Sequence, residues 1–271
     1  MTSHLPLAIV AGAASAAGGA LAVRERRARQ AMERFAGASL ETLLNAIEAN
    51  DPDTGMHVRR VAAYALIIAD AADLDEHAQR AIERVALFHD IGKIHEALFD
   101  IVHDNTRLTP AERRAIDTHP AKGAEVLAPL AAFYPELPQG VLSHHDRWDG
   151  SGYPRRLRGQ RIPIEARIVA IADTLDAVAN SRRYRRGTGV VAALGVIAAG
   201  RGTQFDPELV DLVLLPPVCA RFAREYAAPR QRLRYRGGRR SQAREQVPDI
   251  SFRWRSESLG SRGVQTPRRV D

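Results

Sequence analysis

The chain has 271 residues, 45% hydrophobic and 26% charged, a globular composition that excludes wholesale disorder, collagen-like repeats and a multi-span membrane protein. Its single cysteine, Cys219, excludes a disulfide framework and a thiolate zinc site and fits a reducing compartment. The net charge of +7 points to a phosphorylated or otherwise anionic partner.

Residues 5–23 form an uncharged run of 19, mostly Ala and Gly, close to the ~20 residues that a spanning helix needs. Arg24, Arg26, Arg27 and Arg29 follow it, the reverse of the order in a secretory signal. The run is read as a single membrane anchor that keeps the rest of the chain in the cytoplasm, the competing reading being a packing helix. Small residues at Ala8, Gly12, Ala16 and Ala20 recur every fourth position and suit close packing in a homodimer.

From Ser39 to Leu215 the apolar residues keep helical spacing, as at Leu40, Leu43, Leu44 and Ile47, or Val61, Tyr64, Ala65 and Ile68. Thr109-Pro110-Ala111-Glu112 is a capping box with proline in the first turn, so a helix starts there. Others start at Pro163 and at Asp206-Pro207. No alternating stretch is long enough to demand a sheet, so the core is expected to be all-α. After Pro229 the pattern ends in a flexible basic tail, where twelve arginines face four acids. The remaining residues hold 27 basic against 28 acidic side chains, so the core is no broadly basic surface and no specific nucleic-acid binding is expected.

Chemistry concentrates in the histidines. His89-Asp90 closes an apolar helix and precedes Ile91-Gly92-Lys93, where glycine allows a sharp turn. His57 follows Asp53-Thr54-Gly55-Met56, His119 precedes Pro120, and His144-His145 leads into Asp146-Arg147-Trp148-Asp149-Gly150-Ser151-Gly152-Tyr153-Pro154. Asp173 lies in the apolar run Ile168 to Ala172, where a carboxylate is costly unless paired or metal-bound. Imidazole and carboxylate without thiolate favour iron, manganese or another divalent ion, and so many ligand-type residues imply more than one. His77 is read as a surface residue, His95 and His103 as surface residues or as supports behind the ligands, and Trp148 as packing the loop or stacking on a base.

The joint pattern of HDIGK at 89–93, HP at 119, HHDRWDGSGYP at 144–154 and ARIVAIAD at 166–173 resembles the HD-GYP family of metal-dependent phosphohydrolases, a branch of the HD superfamily. The resemblance spans about Leu43 to Leu215. It implies a helical bundle with a metal-binding core over residues 38–216, preceded by the anchor and basic linker of 1–37 and followed by a short helix and tail in 217–271. It further implies two or three divalent ions held by Asp53, His57, His89, Asp90, His119, His144, His145 and Asp173. Asp53 stands where family members with three metals carry an acid, although the usual residue is the longer glutamate. Asp90 and Lys93 are the implied catalytic residues. Lys93 is one of only two lysines, the other being Lys122.

The family substrate is cyclic di-GMP, so the implied reaction is its hydrolysis by a bridging hydroxide to linear pGpG and on to GMP. Arg182 and Arg185 match phosphate-gripping positions, and Gly152, Tyr153 and Pro154 belong to the loop over the substrate. Asp146, Arg183, Asn180 and the stretch after Lys93 depart from the usual family residues, without removing a ligand. The alternatives are an enzyme for another cyclic dinucleotide or nucleotide and a non-catalytic nucleotide-binding scaffold.

Overall fold

A computed structural model describes residues 5–94, 109–180 and 187–227, the side chains of 5–22, Asn50 and Ile94 excepted. Among the described residues the regular structure is helical, with one isolated bridge between Arg201 and Phe205. The helices are α1 (Leu5–Asn50), α2 (Pro52–Ala71), α3 (Glu76–Phe88), α4 (Pro110–Ile116), α5 (His119–Leu127), α6 (Glu136–Ser143), α7 (Ile164–Ala179), α8 (Val190–Ala199), α9 (Pro207–Val213) and α10 (Pro216–Ala227). A short 3-10 turn covers Ile91–Ile94. Arg182, Arg185 and the tail from residue 228 lie outside the described residues, as do His95 and His103.

Local chemistry fixes the helix starts. Asp51 caps α2 by accepting from the Asp53 amide, with Pro52 in the first turn, and Asp75 caps α3 through the Ala78 amide. The expected box at α4 is complete: Thr109 accepts from the Glu112 amide, and Glu112 accepts from the Thr109 amide at 2.6 Å. Helix α7 begins directly after Pro163, and Asp206 caps α9 through the Glu208 amide.

Residues Leu40–Arg232 form one compact unit. Its centre is α2 packed against α3 and α7, and α5 pairs with α6 beside them. Val61, Tyr64, Ala65 and Ile68 of α2 meet Ile82, Val85 and Phe88 of α3 and Ile168, Ile171 and Leu175 of α7 in a continuous buried core. Burying each of the larger aliphatic or aromatic side chains is worth roughly 1.5–3 kcal/mol, so this three-helix contact is the frame on which the site is hung. Helix α10 packs onto α2, where Phe222 is fully buried with its ring edge-on to Tyr64.

Among the described residues no helix is long and apolar enough to cross a membrane. The anchor expected from residues 5–23 is therefore unsupported. That run is helical, but it continues without a break into the arginine-rich stretch of α1, and more than half of it is Ala or Gly.

Candidate metal centre

Two groups of ligand-type side chains come together at the ends of the central helices. His57, His89 and Asp90 form one, and His119, His144 and His145 form the other. His57 comes from the second turn of α2, His89 and Asp90 from the end of α3, His119 from the start of α5, and His144 and His145 from the end of α6. Asp173 on α7 adds a carboxylate to the first group, with Oδ1 3.3 Å from His57 Nε2 and 4.0 Å from His89 Nε2. Asp90 lies between the groups: Oδ1 is 3.3 Å from His119 Nε2, and Oδ2 is 3.6 Å from His89 Nε2.

The imidazoles are held by one device. His89 Nδ1 donates to the Ala86 carbonyl at 2.8 Å, His119 Nδ1 to Ile116 at 2.7 Å and His144 Nδ1 to Val141 at 2.6 Å. In each case the acceptor sits three residues back, among the carbonyls that the end of α3, α4 or α6 leaves without a helical partner. His57 Nδ1 instead donates to Asp176 Oδ2 at 2.7 Å. With the Nδ1 proton committed, Nε2 of each ring presents a lone pair.

Those lone pairs face other acceptors. His119 Nε2 and His144 Nε2 lie 3.2 Å apart. His89 Nε2 and Asp90 Oδ1 are buried without a hydrogen bond. Acceptors that converge without donors repel one another unless a cation sits among them, so the residues fit divalent ions. Three helix carboxyl ends in the same place favour positive charge further.

The electrostatics supply the right protonation states. Burial pushes the His144 imidazole far down, aided by His145, His89 and His119. Burial and His119 take His145 down to about 3. Burial also lowers His89, against the pull of Asp90 and Asp173. For Asp90, burial opposes ionisation, but Lys93, His89 and His119 hold the carboxyl well below its usual value. Asp173 is likewise held low by His57 and His89 in spite of burial. Neutral imidazole and ionised carboxylate are the ligand forms that bind metals.

The remaining expected residues surround this centre. Lys93 Nζ donates to Asp90 Oδ2 at 2.6 Å. The Tyr153 ring stacks on His145 with centroids 4.9 Å apart, and its hydroxyl donates to Asp117. Gly152 is where the loop folds back on itself: an added Cβ would lie 2.5 Å from the His145 carbonyl oxygen and 2.4 Å from the Arg147 nitrogen. Asp146 holds the loop's far end, accepting from the Leu157 amide at 3.3 Å. Trp148 packs this loop against the chain after α8: its amide donates to the Gln204 carbonyl, and its ring faces the Arg167 guanidinium. His77 is exposed, as expected.

One expectation changes. Gly92 has no left-handed backbone. Glycine is needed there because a Cβ would meet the His119 carbonyl oxygen at 2.1 Å, so the requirement is close approach rather than a sharp turn. Asp53 is exposed on the first turn of α2 and belongs to neither group of ligands. Sequence reasoning missed Asp176, Arg60 and Asp117. For Asp176 the available signal was a second acid on the Asp173 face of a helix otherwise apolar at those positions.

A helical bundle that brings histidines and aspartates together at its helix ends is the architecture of a metal-binding helical domain. The chain belongs to the HD domain family, whose model matches residues 41–209. It is 37% identical over 198 residues to a cyclic di-GMP phosphodiesterase response regulator, RpfG, of Xanthomonas campestris, covering 70% of this chain and 52% of that one. It is also 37% identical over 174 residues to a 3'3'-cGAMP-specific phosphodiesterase of Vibrio cholerae, covering 64% of this chain and 33% of the relative. A cyclic di-GMP phosphodiesterase of Thermotoga maritima is 35% identical over 187 residues, with coverages of 67% and 50%. The chain thus spans a third to about half of the length of these relatives. Among solved structures, a cyclic GMP-AMP specific phosphodiesterase of V. cholerae superposes with a TM-score of 0.51 at 24% identity, over 70% of this chain and 50% of that one, which supports the fold.

Proposed function

We propose that the chain is a metal-dependent phosphodiesterase that opens cyclic di-GMP to linear pGpG and continues to GMP. The observation that carries this reading is the convergence of imidazole lone pairs and ionised carboxylates in two adjoining groups. His57, His89, Asp90 and Asp173 would hold one divalent ion, iron or manganese, and His119, His144 and His145 a second, with Asp90 placed to serve both. When bound, such ions neutralise charge on a phosphoryl group and lower the pKa of water from ~15.7 toward ~7. Asp53 is retained as the candidate ligand for a third.

The chain's own residues orient and enclose. Lys93 steadies Asp90 through one ammonium proton and keeps two for a phosphoryl oxygen. Tyr153, Pro154 and Gly152 wall the site beside His145, and Arg182 and Arg185 are assigned to the substrate phosphates. A second reading, 3'3'-cGAMP as substrate, is favoured by the identity to an enzyme named for it. A membrane anchor in residues 5–23 and pairing into a homodimer through its small residues belong to the same proposal, supported by the uncharged run and the arginines that follow. Fractionation of cells expressing the chain with and without residues 5–23 tests attachment.

Incubating the chain anaerobically with manganese or ferrous iron and each cyclic dinucleotide, then separating the nucleotides by chromatography, tests the activity. Linear products from cyclic di-GMP are expected. Intact substrate in every metal-loaded reaction would refute the proposal.

A further inference from the structure

The two groups of ligands are built alike in their imidazoles and differently in what stands behind them. Behind His119 and His144, and behind His89 in the first group, are neutral main-chain carbonyls, so the difference lies at His57. Behind His57 is Asp176, a carboxylate with no exposed surface. Its two oxygens receive four donors. Oδ2 accepts from His57 Nδ1 at 2.7 Å and from Arg60 Nη2 at 3.0 Å. Oδ1 accepts from Arg60 Nε at 2.5 Å and from Asn180 Nδ2 at 2.9 Å. A buried carboxylate so completely bonded is ionised, fixed in rotation and unable to donate, so the proton between it and His57 must reside on Nδ1.

We infer that Asp176, clamped by Arg60 and Asn180, is a positioning residue that fixes the His57 tautomer and makes the His57–His89–Asp90 group the tighter of two metal subsites. The inference rests on the reading of both groups as metal ligands and leaves the substrate open. A carboxylate behind a ligating imidazole fixes the ring and raises its basicity, which a neutral carbonyl does more weakly. The same subsite has the carboxylates of Asp90 and Asp173, whereas the other contains only histidines of its own. Charge and backing therefore act in one direction, and the ions are expected to load in order, the His57 subsite first.

Asp176 touches no reacting atom. Its partners are His57 and Arg60 on α2 and Asn180, the residue just after α7, so it fastens these two helices at the level of the site as well. A structural role alone would weaken folding without discriminating between subsites or setting a tautomer. In Asp176→Asn, one of the two carboxylate oxygens becomes an amide that must face the donors of Arg60 or His57.

The test is a manganese titration of the full chain by calorimetry, wild type against Asp176→Asn, with nitrogen-15 spectra of the imidazoles in the metal-free wild type. Expected are two binding steps in the wild type, and in the variant a tight step weakened about 10–100-fold with the weaker step unchanged. His57 in the wild type is expected as the Nδ1–H tautomer. Absence of any manganese binding to the wild type would overturn the metal reading itself. Two steps that are both unchanged in the variant, or both weakened equally, would overturn the inference alone. An Nε2–H tautomer for His57 would do so without any variant, which also covers a variant that does not fold.

Discussion

Replacing Gly92 with alanine adds one methyl group at the tightest point of the site. Its backbone is outside the left-handed region, so alanine is conformationally allowed and the whole effect is steric. The new Cβ would lie 2.1 Å from the His119 carbonyl oxygen, 2.7 Å from the Gly123 nitrogen and 2.9 Å from the His119 carbonyl carbon, all main-chain atoms. No side chain can rotate away, so the 3-10 turn and the start of α5 must part by about 1 Å. Asp90 rides on one of these segments and His119 on the other, with Oδ1 and Nε2 3.3 Å apart. A 1 Å parting exceeds the ~0.5 Å within which a site keeps its geometry. Overpacking of this kind costs about 1–3 kcal/mol, and for a unit of this size each kcal/mol lowers Tm by roughly 2–4 °C. The expected result is a Tm lower by about 2–12 °C in metal-free buffer and a loss of bound manganese measured by mass spectrometry after dialysis. Gly195 on α8 is the control, since nothing lies within 4 Å of its added Cβ. There alanine should stabilise by about 0.5–1 kcal/mol and leave metal content alone. Full metal content and an unchanged melting curve for Gly92→Ala would refute the close-approach argument.

Other consequences can be measured separately. Phe222→Ala should destabilise the chain by about 3–5 kcal/mol in denaturant titrations, because the buried ring anchors α10 on Tyr64; a loss below 1 kcal/mol would detach α10 from the core. Manganese at a hundred times its Kd should stabilise the native chain by about 2.7 kcal/mol, visible as a rise in Tm that chelator reverses. Burial holds the Glu83 carboxyl above its usual value, with Arg84 opposing. Between the unfolded value near ~4.3 and its raised native value the native chain keeps a proton that the unfolded chain has released, so above that window ionised Glu83 costs stability, at pH 7 included. Glu83→Gln should raise the denaturant midpoint at pH 7, and the gain should fade as pH drops through the unfolded value near ~4.3; a gain that grows in acid would contradict the assignment.

What the sequence made legible was local or typed. The helix starts at Thr109, Pro163 and Asp206 rest on contacts within four residues, so a capping box or a proline reveals them. The histidines could be picked out as candidate ligands because several motifs occur together in order, whereas a single His-Asp pair such as His103-Asp104 says little. Asp176 was hidden because its meaning lies in Arg60, 116 positions earlier, and in which face of α7 meets α2. Gly92 was seen, but for the wrong reason: backbone freedom is a property of one residue, whereas close approach depends on where α5 comes to lie.

The histidine rings that donate to Ala86, Ile116 and Val141 also finish the helices to which those carbonyls belong. Each ring offers a lone pair at one nitrogen and stops a helix at the other. A cation held by the Nε2 atoms would therefore be coupled to three helix ends together. Amide exchange at residues 86–90, 116–119 and 141–145 should slow in concert when metal is added. Removing a ligand by substitution should also fray the helix it closes, so a histidine variant will report on folding as well as on chemistry.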